Sequence, residues 1–131
     1  MKIEYKGGLK FEINSGGHII ISDQPKENGG NNEGATPGEL FVASLASCIG
    51  FYVVSYCKNA GIDASGLKIT ADYDHAPDKP ARIGTITIDV DLPAKVEDNR
   101  KPALMNAAKH CFIHNTIDNP PKIEIKVNTA K

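Results

Sequence analysis

The sequence has no tryptophan, few other aromatic residues and no excess of charge of either sign. Fifteen Lys and Arg residues stand against sixteen Asp and Glu residues, and no basic cluster interrupts the balance. Such a chain lacks the positive surface that binds nucleic-acid phosphates or anionic membranes. With only four Phe and four Tyr, it also has little material for stacking bases. We therefore expect no nucleic-acid partner and no membrane partner.

Cysteine is scarce as well, with three residues and no Cys-x-x-Cys pair. Small secreted domains held by disulfides usually carry an even and denser set. The segment Met1–Tyr5 has no apolar run of signal-peptide length. These absences predict a cytoplasmic protein whose thiols are reduced by default. In that setting a thiol is a core residue, a metal ligand or a redox group.

The hydrophobic pattern predicts a single α+β domain over residues 1–131, with the element order βββ-α-ββ-α-β. Apolar and polar residues alternate with a period of two, as in half-buried strands, at residues 3–5, 9–13, 67–73, 82–92 and 123–127. A further strand is predicted at 18–21, after the turn at Gly16 and Gly17. One helix is predicted to begin at Pro37 and to end at residues 58–60, ahead of Gly61. A second is predicted over 97–110, and a further short helix over 111–117. The polar stretch from Ser22 to Ala35 is predicted to be a long loop.

The first helix has a clear start signal. Thr36 and Glu39 have the spacing of a capping box, and Pro37 takes the first helical position. The segment that follows, Leu40 to Cys57, carries no charge. Its length is at the lower limit for a membrane span, but its serines and tyrosines favour a buried core helix. A helix that is apolar on every face must be covered on every face, so we expect burial against a second copy of the chain.

Two of the three cysteines cannot pair with each other. Cys48 and Cys57 are nine residues apart on the predicted helix, which places them half a turn out of phase. Cys111 belongs to another element, so Cys48 and Cys111 form the plausible intramolecular pair. The alternative for each cysteine, above all for Cys57, is a buried small hydrophobic residue.

A histidine cluster near the end of the chain raises the question of a metal. His110 and His114 share a helix face if the helix continues, and Cys111 and His114 have a Cys-x-x-His spacing. Zinc needs three or four ligands, however, and a second group of ligands is missing. No phosphate-binding loop pattern is present either. We expect no metal and no cofactor.

The run from Asp23 to Cys48 resembles the OsmC/Ohr family. It reads Asp-Gln-Pro-Lys-Glu-Asn-Gly-Gly-Asn-Asn-Glu-Gly-Ala-Thr-Pro-Gly-Glu-Leu-Phe-Val-Ala-Ser-Leu-Ala-Ser-Cys. That run carries the family's DxP, GG and TPxEL elements ahead of the cysteine in the central helix. Cys111 fits the family's second, late cysteine, and the resemblance covers nearly the whole chain. It implies an intertwined homodimer with two long helices buried between curved sheets.

The resemblance also implies a thiol-dependent peroxidase that acts on organic hydroperoxides. The Cys48 thiolate would attack the O–O bond and become a sulfenic acid. Cys111 would then condense with it to a disulfide, and an external dithiol would reduce the pair. An apolar peroxide would suit the neighbouring side chains of Phe41, Leu45 and Phe51.

The chain departs from the family pattern at two positions. The characterised peroxidases hold their thiolate with an Arg from the N-terminal strands and a Glu directly after the helix-start Pro. Here the first Arg is Arg82, and Gly38 follows Pro37. Glu39, one position later, and Arg82 are the candidates for these two catalytic roles. Glu39 has the capping role as its other use.

Two alternatives stay open from the sequence. If Cys111 opens a short helix, the free N–H groups there favour its thiolate, and the roles of the two cysteines are reversed. The same fold could instead bind a small apolar ligand in a pocket near Cys48 without turnover.

Overall fold

A computed structural model describes residues 1–130 and confirms the mixed α+β class. The elements are β1 (Lys2–Tyr5), β2 (Phe11–Ser15), β3 (His18–Ser22), α1 (Pro37–Ala60), β4 (Lys68–His75), β5 (Ile83–Asp91), α2 (Lys101–Lys109) and α3 (Phe112–Asp118). Short 3₁₀ turns at Lys26–Asn28 and Asp98–Arg100 precede α1 and α2.

The first three strands form one antiparallel sheet in the order β1-β2-β3. Ile3 lies opposite Ile13, and Ile13 opposite Ile20, so these three side chains share a face of the sheet. Tyr5 and Phe11 are also opposite each other, with ring centroids 5.7 Å apart. This apolar face stays largely open within the chain, because Ile3 and Tyr5 are both more than half exposed.

The helix α1 buries one stripe of side chains. The stripe has helical spacing and consists of Val42, Leu45, Ala46, Ile49, Val53 and Cys57. On the other side, Phe51 keeps 65% and Val54 42% of its surface exposed. By length and composition α1 could cross a membrane, with a mean hydropathy of 1.9 over its most apolar window, of which 39% is buried inside the protein. Core helices of soluble proteins pass the same test, so this property is weak support for a span.

The contacts within the chain divide it into two compact units. The first combines Met1–Ala46 with Ile69–Asp89, and therefore holds the three-stranded sheet, the start of α1 and most of the β4-β5 hairpin. The second combines Ser47–Lys68 with the residues from Val90 onward, and therefore holds the rest of α1 together with α2 and α3.

One predicted helix start and one predicted strand differ from the structure. The second helix begins at Lys101 rather than at Glu97, because Pro102 lacks an N–H and is tolerated only in the first turn of a helix. The predicted strand at 123–127 is not formed within the described chain. Alternating apolar residues make a strand only when a neighbouring strand takes their backbone hydrogen bonds, and the ladders among residues 1–130 do not include this segment.

Candidate active site

The predicted capping box at the start of α1 is present. The Thr36 N–H donates to Glu39 Oε2 at 2.7 Å, and the Glu39 N–H donates to Thr36 Oγ1 at 3.2 Å. Two N–H groups at the helix start are thereby satisfied by side chains. One oxygen of the Glu39 carboxylate is therefore used by the backbone, and the catalytic role of Glu39 stays a prediction.

The loop between β3 and α1 is organised by a buried carboxylate. Asp23 is 1% exposed, and its oxygens accept the N–H groups of Gln24 at 2.8 Å, Glu33 at 3.1 Å and Asn31 at 3.2 Å. The amides of Glu33 and Gln24 hold the pKa of Asp23 below its ordinary value. Sequence reasoning used Asp23 only as part of a motif. The signal for its structural role was an Asp at the start of a Gly-rich polar loop, where Asp commonly binds nearby backbone N–H groups.

The structure brings Cys48 and Cys111 together in the second compact unit. Cys48 is half-buried on α1, and Cys111 is fully buried at the N-cap of α3. The Cys48 thiol lies close enough to Cys111 to raise the pKa of the Cys111 thiol, and both thiols are free. Two free cysteines that lie near each other on different elements are candidates for a disulfide.

Cys111 has a defined electrostatic environment. Burial raises the pKa of the Cys111 thiol, and the N–H of His114, which donates to its Sγ at 3.2 Å, acts in the opposite direction. The neighbouring Cys48 raises that pKa further. The Cys111 thiol thus favours its protonated form. Cys48 is the partly exposed residue of the pair, and Cys111 the buried one.

Cys57 is different from both. It is fully buried within the apolar stripe of α1, and burial raises the pKa of its thiol. A thiol that is buried and protonated is a poor nucleophile. This environment is the one predicted for a core cysteine.

Arg82 lies in the first compact unit, directly before β5. Its guanidinium contacts Asp78 Oδ1 at 2.9 Å and donates to the Pro80 carbonyl at 3.0 Å. The side chain is about half exposed. Its predicted role beside a thiolate stays a prediction.

The two histidines of the late cluster belong to different elements. His110 follows the end of α2, with Nδ1 2.8 Å from the Asn106 carbonyl, and His114 lies in α3 with Nε2 3.6 Å from Asp118. They do not share a helix, because α2 ends at Lys109. Within residues 1–130, no group of three His, Cys, Asp or Glu side chains is close enough to hold a metal ion.

Comparison with known proteins gives a consistent family. A family model described as OsmC-like protein matches residues 29–126. A crystal structure of a Psychrobacter arcticus protein assigned to osmotic stress and detoxification responses matches with 26% identity and a TM-score of 0.80, covering 88% of this chain and 85% of the other. No protein of curated function matches the sequence.

Two further crystal structures share the fold. The organic hydroperoxide resistance protein OhrB of Bacillus subtilis is 23% identical, with a TM-score of 0.65 and coverage of 91% of this chain and 90% of the other. The OsmC-like protein of Mycoplasma pneumoniae is 16% identical, with a TM-score of 0.72 and coverage of 85% and 80%.

Proposed function

The chain belongs to the OsmC-like protein family, and we propose that it is a thiol-dependent peroxidase that reduces organic hydroperoxides through Cys48 and Cys111. The observation that carries the proposal is the proximity of these two free thiols, which lie on elements far apart in sequence. The name of the Bacillus subtilis neighbour, an organic hydroperoxide resistance protein, agrees with this chemistry.

In the proposed reaction, Cys48 is the nucleophile because it is the partly exposed member of the pair. Its thiolate attacks one oxygen of the O–O bond, the bond breaks, and the other oxygen leaves with its alkyl group and takes a proton as an alcohol. Cys48 becomes a sulfenic acid and is oxidised by two electrons, while the peroxide is reduced. The sequence alternative in which Cys111 attacks first requires peroxide to reach a fully buried sulfur.

The second step closes the disulfide. The Cys111 thiol loses its proton and attacks the sulfur of the Cys48 sulfenic acid, and water leaves. The His114 N–H, 3.2 Å from Cys111 Sγ, stabilises the thiolate that this step requires. An external dithiol then reduces the disulfide by thiol exchange and is itself oxidised to a disulfide.

We propose further that the working unit is a cytoplasmic homodimer. A single chain leaves three sets of apolar side chains uncovered: Ile3, Tyr5, Phe11 and Ile20 on the first sheet, Phe41, Phe51 and Val54 on α1, and Ile123, Ile125 and Val127 near the C-terminus. Monomeric proteins rarely expose apolar surface on this scale, and large exposed patches usually mark an interface. A second copy supplies matching surfaces by symmetry.

The decisive experiment adds cumene hydroperoxide or tert-butyl hydroperoxide to the wild type and to Cys48→Ser, Cys111→Ser and Cys57→Ala. The wild type should consume peroxide and form a Cys48–Cys111 disulfide, seen by mass spectrometry. Cys48→Ser should lose consumption, and Cys111→Ser should stop at a sulfenic acid that dimedone traps. Cys57→Ala is the matched control and should keep the reaction.

Equal, slow consumption of peroxide by the wild type and Cys48→Ser would exclude the proposed reaction. The non-catalytic alternative has its own signature. In that case peroxide leaves both thiols unmodified, while a small apolar ligand raises the melting temperature.

A further inference from the structure

Tyr52 is a neighbour of Cys48 on α1. The two residues are four positions apart, and side chains at that spacing on a helix have Cβ atoms about 5–6 Å from each other. Both residues are half-buried, at the border between the buried stripe of α1 and its exposed side. Since helical side chains lean toward the helix N-terminus, helix geometry directs the Tyr52 ring toward the turn that carries Cys48.

An aromatic neighbour restrains the Tyr52 ring. Phe51 packs edge-on against it, with ring centroids 5.2 Å apart and an interplanar angle of 90°. This edge-to-face arrangement is one that aromatic pairs favour. Phe51 follows Cys48 by three residues and therefore lies on the same part of the helix surface. The ring contact limits the positions that the Tyr52 side chain can take beside Cys48.

The Tyr52 hydroxyl is available to a molecule that approaches the thiol. It makes no hydrogen bond to any residue among 1–130, whereas the Tyr56 hydroxyl, one turn later, donates to the Arg100 carbonyl at 3.4 Å. Every buried side-chain oxygen of the described residues has a hydrogen-bond partner, so the Tyr52 oxygen, which has none, is accessible to solvent. A phenol in this position can donate its proton to a bound substrate.

The proposed peroxide reaction needs such a donor. When the O–O bond breaks, the departing oxygen keeps the electron pair of that bond and leaves as an alkoxide unless a proton reaches it. The Cys111 proton is used in the second step, when water leaves. The Ser44 hydroxyl, one turn before Cys48, donates to the Phe41 carbonyl at 2.7 Å. Of the two hydroxyls one turn away from Cys48, that of Tyr52 is the one whose proton has no acceptor among the residues that the structure describes.

We propose that Tyr52 is a catalytic residue that donates a proton to the departing oxygen of the hydroperoxide, an inference that rests on the proposed peroxidase function. The Cys48 thiolate takes the oxygen that carries the hydroperoxide hydrogen and becomes the sulfenic acid. The electron pair of the O–O bond goes to the alkyl-bearing oxygen, which takes the Tyr52 proton and leaves as the alcohol. The phenolate then takes a proton from water. A phenol is a stronger acid than an alkyl alcohol, so the transfer is favourable, and general acids contribute roughly 10²–10⁴-fold to such rates.

The test compares Tyr52→Phe with the wild type on two oxidants that differ in what departs. Cumene hydroperoxide releases an alkoxide, which needs a proton, whereas peracetic acid releases acetate, which does not. Tyr52→Phe should consume cumene hydroperoxide at least about tenfold more slowly than the wild type. It should consume peracetic acid at the wild-type rate.

Controls separate proton donation from a structural effect. Tyr56→Phe removes a hydroxyl from the same helix and should keep both rates, because that hydroxyl is bound to the Arg100 carbonyl. Tyr52→Phe keeps the ring that packs against Phe51, so its melting temperature should stay near that of the wild type. Its Cys48 should also be alkylated by iodoacetamide at the wild-type rate, as measured by mass spectrometry, because alkylation releases no alkoxide.

Three results would overturn the role of Tyr52 and leave the proposed peroxidase intact. They are an unchanged rate of Tyr52→Phe with cumene hydroperoxide, an equal slowing with both oxidants, and a slower alkylation of Cys48. A wild type that consumes neither oxidant would overturn the proposed function, and the role of Tyr52 with it.

Discussion

The loop before α1 and the segment after α3 both differ from what their sequences suggest, and they do so in opposite directions. The loop is polar and rich in Gly and Asn. Nevertheless, the Asp23 carboxylate accepts hydrogen bonds from three of its N–H groups, and Ser22 forms an isolated β-bridge with Ala35. The segment at 123–127 has the apolar alternation of a strand, yet its apolar side chains are 77–83% exposed. A segment of this protein is therefore ordered where its backbone groups have hydrogen-bond partners within the chain. An apolar segment without such partners is expected to contact another chain.

Substitutions in the C-terminal segment are expected to have the largest effect, which is on the dissociation constant of the proposed dimer. Changing Ile123, Ile125 and Val127 together to Ser should raise the dimer dissociation constant by about 1,000-fold or more. Each such side chain contributes roughly 1.5–3 kcal/mol when fully buried, and 4 kcal/mol corresponds to about three powers of ten. Sedimentation velocity over a dilution series measures the constant.

The alternate positions of the same segment supply the control. Changing Lys122, Glu124 and Lys126 to Ser should leave the dimer intact, because these residues lie on the other side of an extended chain. If the apolar triple variant dimerises as tightly as the wild type, the segment does not cover a second copy.

Within the loop, the next effect is expected at Gly34. A Cβ there would lie 2.2 Å from the Ile21 carbonyl oxygen, so Gly34→Ala must move backbone. We expect a loss of about 3 kcal/mol in the free energy of unfolding, measured by urea denaturation. Asn32→Gly is the matched control. Asn32 already has φ 55°, in the left-handed region that Gly adopts without strain. This change should therefore alter the free energy of unfolding by less than about 1 kcal/mol.

Much of the fold follows from local signals in the sequence. The Thr36–Glu39 cap predicted the start of α1, and the two-residue alternation predicted β4 and β5, because these signals act over a few neighbouring residues. The strand at 123–127 was predicted wrongly because its pattern says nothing about which strand accepts its hydrogen bonds. For the site, helix phase excluded a Cys48–Cys57 pair, and the place of Cys111 on another element left Cys48 and Cys111 as the plausible pair. Tyr73 lies so close to Gly38 that a Cβ there would be 3.1 Å from Tyr73 Oη, and such an approach between distant segments cannot be read from spacing along the chain.

Asp23 gives a smaller, pH-dependent effect in the same loop. Asp23→Asn removes the charge that binds the N–H groups of Glu33, Gln24 and Asn31, and should lower the melting temperature at pH 7 by about 5 °C. The pKa of Asp23 is lowered in the folded protein, so its contribution is complete above its ordinary value of 3.8 and is lost as pH falls through the folded value.

The difference between the wild type and Asp23→Asn should therefore be constant at neutral pH and should shrink below about pH 4. Thermal unfolding followed by circular dichroism from pH 7 down to pH 3 measures it. A difference that stays the same across that range would mean that the charge of Asp23 does not hold the loop.

The smallest effect is expected where the loop ends, at the helix cap. Thr36→Ala removes the acceptor for the Glu39 N–H and should cost about 1 kcal/mol. Glu39→Gln keeps an acceptor for the Thr36 N–H and should cost less than about 0.5 kcal/mol, because only a charge near the helix start is lost.

Glu39→Gln also separates the two roles of Glu39. A slower peroxide reaction in Glu39→Gln at an unchanged melting temperature would assign it the predicted catalytic role, whereas an unchanged rate would leave it as the cap alone.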